Sequence, residues 1–148
     1  MFFNNYFYNF SKTLEEALKH NDKNLKKITN VLRSLKKTNK VIIIGNGGSS
    51  AIASHVAIDL NKIADISSLT FNDLSNITAL SNDLNYENAF SENIKFLGKK
   101  GDVLISISSS GDSKNIINAI QTAKKLQFSK IITFTGMNSN NKVKKYGD

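Results

Sequence analysis

The chain has 148 residues, no cysteine and a formal net charge of +8, with 40% hydrophobic and 22% charged residues. Those figures fit one globular domain with a real core, and they exclude a disulfide framework and any thiolate metal site or nucleophile. No run reaches the roughly 20 apolar residues that cross a bilayer, and the aromatic, Asn-rich start lacks the parts of a signal peptide, so the expected location is the cytoplasm. The lysines fall in scattered pairs such as Lys36 and Lys37 or Lys124 and Lys125. Without a continuous stripe interleaved with aromatics, the positive charge reads as solvated surface rather than a nucleic-acid interface.

Phe7, Phe10, Leu14, Ala17 and Leu18 recur at helical spacing, as do Leu25, Ile28, Val31, Leu32 and Leu35. The predicted start is therefore two amphipathic helices, broken near Asn21-Asp22, filling a helical segment over residues 1–38. Val41 to Ile44 is then a β-branched run without alternation, as in a strand buried on both faces. A glycine-rich loop follows it, and a helix is predicted to about Leu60. Ser68 to Phe71 is a weaker strand, and helices are predicted around Leu74–Leu80 and Tyr86–Leu97. Val103 to Ile107 is a second buried strand, followed by a serine-rich loop and a helix through Ile116, Ile120 and Ala123. Ile131 to Thr135 is a third strong strand. Strands alternating with helices predict a three-layer α/β core over 39–148 with a parallel sheet, whose ligands sit at the carboxyl ends of the strands.

Both Gly/Ser loops fall at that end. Ser108-Ser109-Ser110-Gly111-Asp112-Ser113 carries four serines in six positions just before a helix. The first turn of a helix offers unpaired N–H groups and the positive end of its dipole, which suit a phosphate. The loop lacks the Lys of a Walker A sequence and the spacing of a dinucleotide fingerprint. Asp112 or Ser113 acting only as a helix cap is the competing account. Gly45-Asn46-Gly47-Gly48-Ser49 allows close backbone approach to a ligand, or is simply a tight strand-to-helix turn. In the helix beyond it, His55 and Asp59 share a face at i, i+4, where they are either metal ligands or a surface polar pair.

Three segments together resemble the phosphoheptose isomerases of the sugar isomerase (SIS) family: Gly45 to Ser49 with His55 after it; Ser81-Asn82-Asp83 with Tyr86 and Phe90-Ser91; and Gly101 to Gly111 with Ser113. The resemblance covers essentially the whole chain and implies a flavodoxin-like SIS fold, homotetramers and sites between subunits. It implies isomerisation of sedoheptulose 7-phosphate to D-glycero-D-manno-heptose 7-phosphate for surface-glycan heptose. Carried over by motif, Asn46, Gly47, Gly48, Asn82 and Asp83 contact substrate, and Ser108, Ser109, Ser110 and Ser113 bind phosphate. His55 becomes a zinc ligand, and Asp59 stands where the family has a Glu that is both zinc ligand and acid/base. That side chain is one methylene shorter, and a displacement of about 1 Å can cost on the order of a hundredfold in rate. The family also continues into a strand and a long helix carrying a Gln and a zinc-binding His; His20, in the N-terminal helices, is no counterpart, and the chain reads as a fragment of a longer protein in preference to a shortened homologue. The alternative is a non-catalytic phosphosugar-binding SIS module, of the sensor or replication-initiator-associating kind.

Overall fold

In the computed structural model, which describes Met1–Asp148, the first helix runs without the break expected at Asn21-Asp22. Helix α1 spans Phe2–Arg33 as one 32-residue element. Both supposed breakers join the helix: Asn21 Nδ2 donates to the Ala17 carbonyl at 2.8 Å, and Asp22 accepts from Lys26 Nζ at 2.7 Å. Asn and Asp cost at most about 0.7 kcal/mol each in a helix interior, far less than the Gly or Pro that end one. Two N-terminal helices are thus corrected to one. Residues Met1–Ser34 form one unit and Leu35–Asp148 another.

The second unit is built on a four-stranded, all-parallel sheet in the order β2-β1-β3-β4. The strands are β1 (Val41–Gly45), β2 (Ser68–Thr70), β3 (Val103–Ser108) and β4 (Lys130–Thr135). Ile43 lies opposite both Thr70 and Ile105, and Ile105 opposite Ile132. All five residues of β1 are buried, as the unalternating run requires of a central strand. Helix α2 (Gly48–Lys62) connects β1 to β2, while α3 (Leu74–Asp83) and α4 (Ala89–Leu97) connect β2 to β3. Helix α5 (Lys114–Lys125) connects β3 to β4, and α6 (Lys142–Tyr146) follows.

The β1-to-β2 and β3-to-β4 crossovers move in opposite directions along the sheet, so right-handed connections put α2 and α5 on opposite faces. On the α2 side, Ala53 and Ala57 are buried and let the helix approach closely. On the other, Ile42, Ile44, Leu104 and Ile131 pack with Phe90, Ile94, Ile116, Ile120 and Val143. That gives the three layers expected from the alternation.

The amino ends of the central strands are pinned by one carboxylate. Asp102 is fully buried and accepts from Asn39 Nδ2 at 3.0 Å, from the Lys40 and Lys99 backbone N–H groups at 3.1 Å each, and from Lys40 Nζ at 2.7 Å. Burial pushes this carboxyl up. The hydrogen bonds from Lys40, Asn39 and the two backbone groups outweigh it and hold the group below the usual carboxylate range.

Candidate functional site

At the opposite, carboxyl end of the sheet β1 stops at Gly45 and β3 at Ser108. A Cβ on Gly45 would lie 2.7 Å from the Ser49 backbone, so the first turn of α2 rests directly on the strand end. Gly47, with φ 54°, takes the N-cap position of α2 and offers no side chain to it. The first N–H groups of the helix are served by backbone: Ser49 donates to the Asn46 carbonyl at 3.0 Å and Ser50 to that of Gly47 at 2.9 Å.

In the serine loop, Ser108 is buried and its Oγ accepts from the Gly111 N–H at 3.1 Å, so this hydroxyl shapes the loop. Ser109 and Ser110 are exposed and Ser113 is half-buried. Ser113 occupies the N-cap of α5, yet its hydroxyl makes no capping bond. The N–H groups of Lys114 and Asn115, in the first turn, have no intrahelical acceptor. The loop is braced from behind, where Gly136 N–H donates to the Ser109 carbonyl at 3.2 Å and Val143 N–H to that of Gly111 at 2.8 Å. Sequence reasoning did not foresee α6, which supplies the second brace. Its only buried residue is Val143, too little apolar periodicity to register, although Asn141 does cap it by accepting from Lys144 N–H.

The two loops are joined by side chains. Asn46 and Asn115 form a reciprocal amide pair, Asn46 Nδ2 to Asn115 Oδ1 at 3.0 Å and Asn115 Nδ2 to Asn46 Oδ1 at 2.8 Å. Tyr86 Oη donates to Asn46 Oδ1 at 2.8 Å. The segment carrying Tyr86 is itself fastened to α5: Lys114 Nζ pairs with Glu87 Oε1 at 2.8 Å, and Asn118 Nδ2 donates to the Glu87 carbonyl at 3.0 Å. The Glu87 carboxylate, through its hydrogen bond and then its charge, raises the Lys114 ammonium above its ordinary value and keeps it protonated. Asn115 escaped the sequence reading because a buried amide inside a helix has no signature of its own, and Lys114 because an exposed lysine reads as ordinary solvated surface.

The other expected site residues lie apart from this cluster. Asn82 donates to its neighbour Asp83 at 3.0 Å, and both are exposed at the end of α3, bonded to neither loop. At 1.5 Å of rise per residue, His55 is about 10 Å and Asp59 about 16 Å along α2 from Gly48. His55 Nε2 is 3.5 Å from Asp59 Oδ2 on an exposed face that also carries Ile52 and Ile58. Zinc at a catalytic site takes three protein ligands and at a structural site four. No third His, Cys, Asp or Glu joins this pair, so the donors of these residues alone do not fit a zinc ion. A groove of about 480 Å³ between α4 and α5, lined among others by Glu92, Lys95 and Lys125, contains none of the expected residues.

The SIS-domain family profile matches residues 5–136. A phosphoheptose isomerase of Thermodesulfovibrio yellowstonii is 37% identical over 128 residues, 82% of this chain and 63% of that protein. One from Buchnera aphidicola subsp. Schizaphis graminum is 39% identical over 145 residues, covering 93% of this chain and 74% of that protein. The match thus spans a little under two thirds of the length of the first relative and about three quarters of the second. Among solved structures, phosphoheptose isomerase GmhA from Neisseria gonorrhoeae superposes with a TM-score of 0.87 at 28% identity, covering 100% of this chain and 82% of that one.

Proposed function

Because the chain belongs to the SIS-domain family and, within it, to the phosphoheptose isomerases, we propose that it forms the phosphosugar-binding core of an isomerase. The reaction is interconversion of sedoheptulose 7-phosphate and D-glycero-D-manno-heptose 7-phosphate, in the cytoplasm, supplying heptose for surface glycans. The observation that carries this reading is the serine loop, where Ser109, Ser110 and Ser113 flank a helix start whose N-cap residue, Ser113, makes no capping bond, leaving the Lys114 and Asn115 N–H groups free of intrahelical acceptors. A phosphate there accepts from hydroxyls and from backbone N–H groups, and its charge meets the positive end of α5. The glycine loop and Asn46, bonded to the same helix, then meet the sugar.

The chemistry is a proton shift between adjacent carbons. A proton leaves C1 of the ketose to a base, and the C2 carbonyl oxygen takes one up, giving an enediol. The C1 hydroxyl then loses its proton while C2 gains one at carbon, leaving the aldose carbonyl at C1 with no atom gained or lost overall. Asp59 is the proposed acid/base group. Its separation from the glycine loop along α2 favours its serving the site of a neighbouring copy, and the apolar Ile52 and Ile58 around it suit a covered surface. The proposed assembly is a homo-oligomer, a tetramer by resemblance. Zinc on His55 and Asp59 requires donors from outside these residues.

The test is incubation of the purified chain with sedoheptulose 7-phosphate, with and without zinc. Aldose phosphate formation and melting temperature are both followed. Binding at a hundred times Kd is expected to raise the melting temperature by on the order of 10 °C. Turnover is expected to vanish in Asp59→Asn while binding survives. No thermal shift would overturn the phosphosugar site, and undiminished turnover in Asp59→Asn would remove Asp59 from the chemistry. Because the chain alone is expected to lack part of the family's catalytic set, binding without turnover in the unaltered chain would fit either a fragment of an isomerase or the non-catalytic SIS module, and turnover would exclude the latter.

A further inference from the structure

An amide pair can be drawn with both side chains flipped and still make two hydrogen bonds, so the direction of each carboxamide has to be fixed by something else. Here a backbone group fixes it. The Ile116 N–H, which can only donate, lies 3.0 Å from Asn115 Oδ1. Asn115, 3% exposed, must therefore turn its oxygen towards Ile116 and towards Asn46 Nδ2, and its Nδ2 towards Asn46 Oδ1.

The consequence falls on Asn46. A carboxamide has two N–H donors and an oxygen with two acceptor positions. Both acceptor positions of Asn46 Oδ1 are filled, by Asn115 Nδ2 and by the Tyr86 hydroxyl, each at 2.8 Å. One N–H goes to Asn115 Oδ1. What Asn46 retains for a ligand is a single N–H with a set direction, able to donate and unable to accept.

We infer that Asn115 is a positioning residue, locked by the Ile116 N–H, that makes Asn46 a one-way donor to a sugar oxygen. The inference rests on the phosphosugar reading of the site and adds to it what that part of the site recognises: an acceptor oxygen on the sugar, such as a carbonyl, rather than a hydroxyl proton. A fixed donor at that point also gains strength as negative charge grows on the oxygen during enediol formation. Tyr86 keeps the second acceptor position of Asn46 filled. Loss of its hydroxyl opens that position to water without freeing the amide to turn.

The test compares Asn115→Ala, Asn115→Asp and Tyr86→Phe in the full chain, with thermal melts to show that each is folded. Two probes are titrated, inorganic phosphate and sedoheptulose 7-phosphate. Asn115→Ala is expected to bind inorganic phosphate as the unaltered chain does or more tightly, and sedoheptulose 7-phosphate about tenfold more weakly; Asn115→Asp, which adds a negative charge to the first turn of α5, is expected to weaken both. Tyr86→Phe is expected to lose no more than about threefold. Equal losses for both probes in Asn115→Ala would mean that Asn115 merely builds the helix start, and no loss for either would overturn the inference.

A readout without ligand stands beside these. In the unaltered chain, one Asn46 Nδ2 proton should exchange slowly with solvent and the other fast, as followed by NMR of the side-chain amides. Asn115→Ala should abolish that difference. Two fast protons in the unaltered chain would overturn the positioning role whatever the ligand data say. Failure of the unaltered chain to bind sedoheptulose 7-phosphate, with the slow proton present, would overturn the phosphosugar reading and leave the amide lock standing.

Discussion

Asp102→Ala is expected to lower the melting temperature at pH 7 by on the order of 10 °C, the largest loss from any single polar side chain of the second unit. The carboxylate is fully buried and tied to Lys40 Nζ, Asn39 Nδ2 and two backbone N–H groups. Removing it strands a largely buried ammonium, one Asn39 amide N–H and two backbone N–H donors at the strand entries, a change that costs about 3–5 kcal/mol when one partner of a buried pair is deleted. For a unit of this size about 1 kcal/mol moves the midpoint by roughly 4 °C. Asp102→Asn should cost less, since one oxygen remains to accept while the other becomes a donor facing Lys40 and Lys99. The sign of the pH dependence follows from the depressed carboxyl. Its folded-state pKa lies below the unfolded value, so its contribution is whole above about pH 4, where the unfolded carboxyl is ionised. That contribution is lost as pH falls through the folded value. The gap between wild type and Asp102→Asn should therefore narrow from pH 7 towards pH 3. A gap of equal size at both values would show that shape rather than charge is at stake.

That carboxylate also shows where sequence stops being informative. In the sequence Gly101-Asp102 stands out only as part of a motif, since nothing in spacing says that an acid before an apolar strand turns inward. By contrast, Val41 to Ile44 and Val103 to Ile107 had no alternation to hide, and both became central strands with covered faces. Ser68 to Phe71 was harder because β2 is a three-residue edge strand with half-buried residues, so its pattern is weak. The break expected at Asn21-Asp22 is absent because neither residue stops a helix as Gly or Pro would, and local i, i+4 bonds hold both inside it.

The candidate site divides the same way. The glycine and serine loops were legible because they punctuate buried strands at the end of a parallel sheet where ligands bind. The i, i+4 spacing of His55 and Asp59 correctly put them on one face of α2. It carried no information on how far down the helix that face lies from the loops, nor on which surface it meets. Asn115 illustrates the converse: a residue inside the α5 sequence pattern, with no motif of its own, proves to be the tie between the two legible loops. Pairings between distant segments are tertiary facts, and one sequence supplies them only through resemblance.

The glycine loop offers the sharpest separation of folding from binding, because two of its glycines meet opposite surroundings. In Gly45→Ala the new Cβ would sit 2.7 Å from the Ser49 carbonyl carbon and oxygen and 2.8 Å from Ser49 Cβ. Backbone atoms of a helix turn cannot rotate aside, so α2 must lift from the end of β1, at about 1–3 kcal/mol for overpacking of this kind. Asn46, the next residue, moves with it. Gly48→Ala is the reverse case. Its Cβ would meet nothing within 4 Å, and the residue is the first of α2, where alanine is preferred over glycine by up to about 1 kcal/mol. Gly45→Ala is thus expected to melt several degrees lower and to lose affinity for sedoheptulose 7-phosphate. Gly48→Ala should melt at or above the wild-type temperature, yet bind that ligand at least tenfold more weakly, because its methyl group fills space the sugar would take. Thermal melts of both variants with and without the phosphosugar decide the matter. A Gly48→Ala protein with the full ligand-induced shift would place the ligand away from the start of α2, and the open space at Gly48 would then belong to the surface rather than to the site.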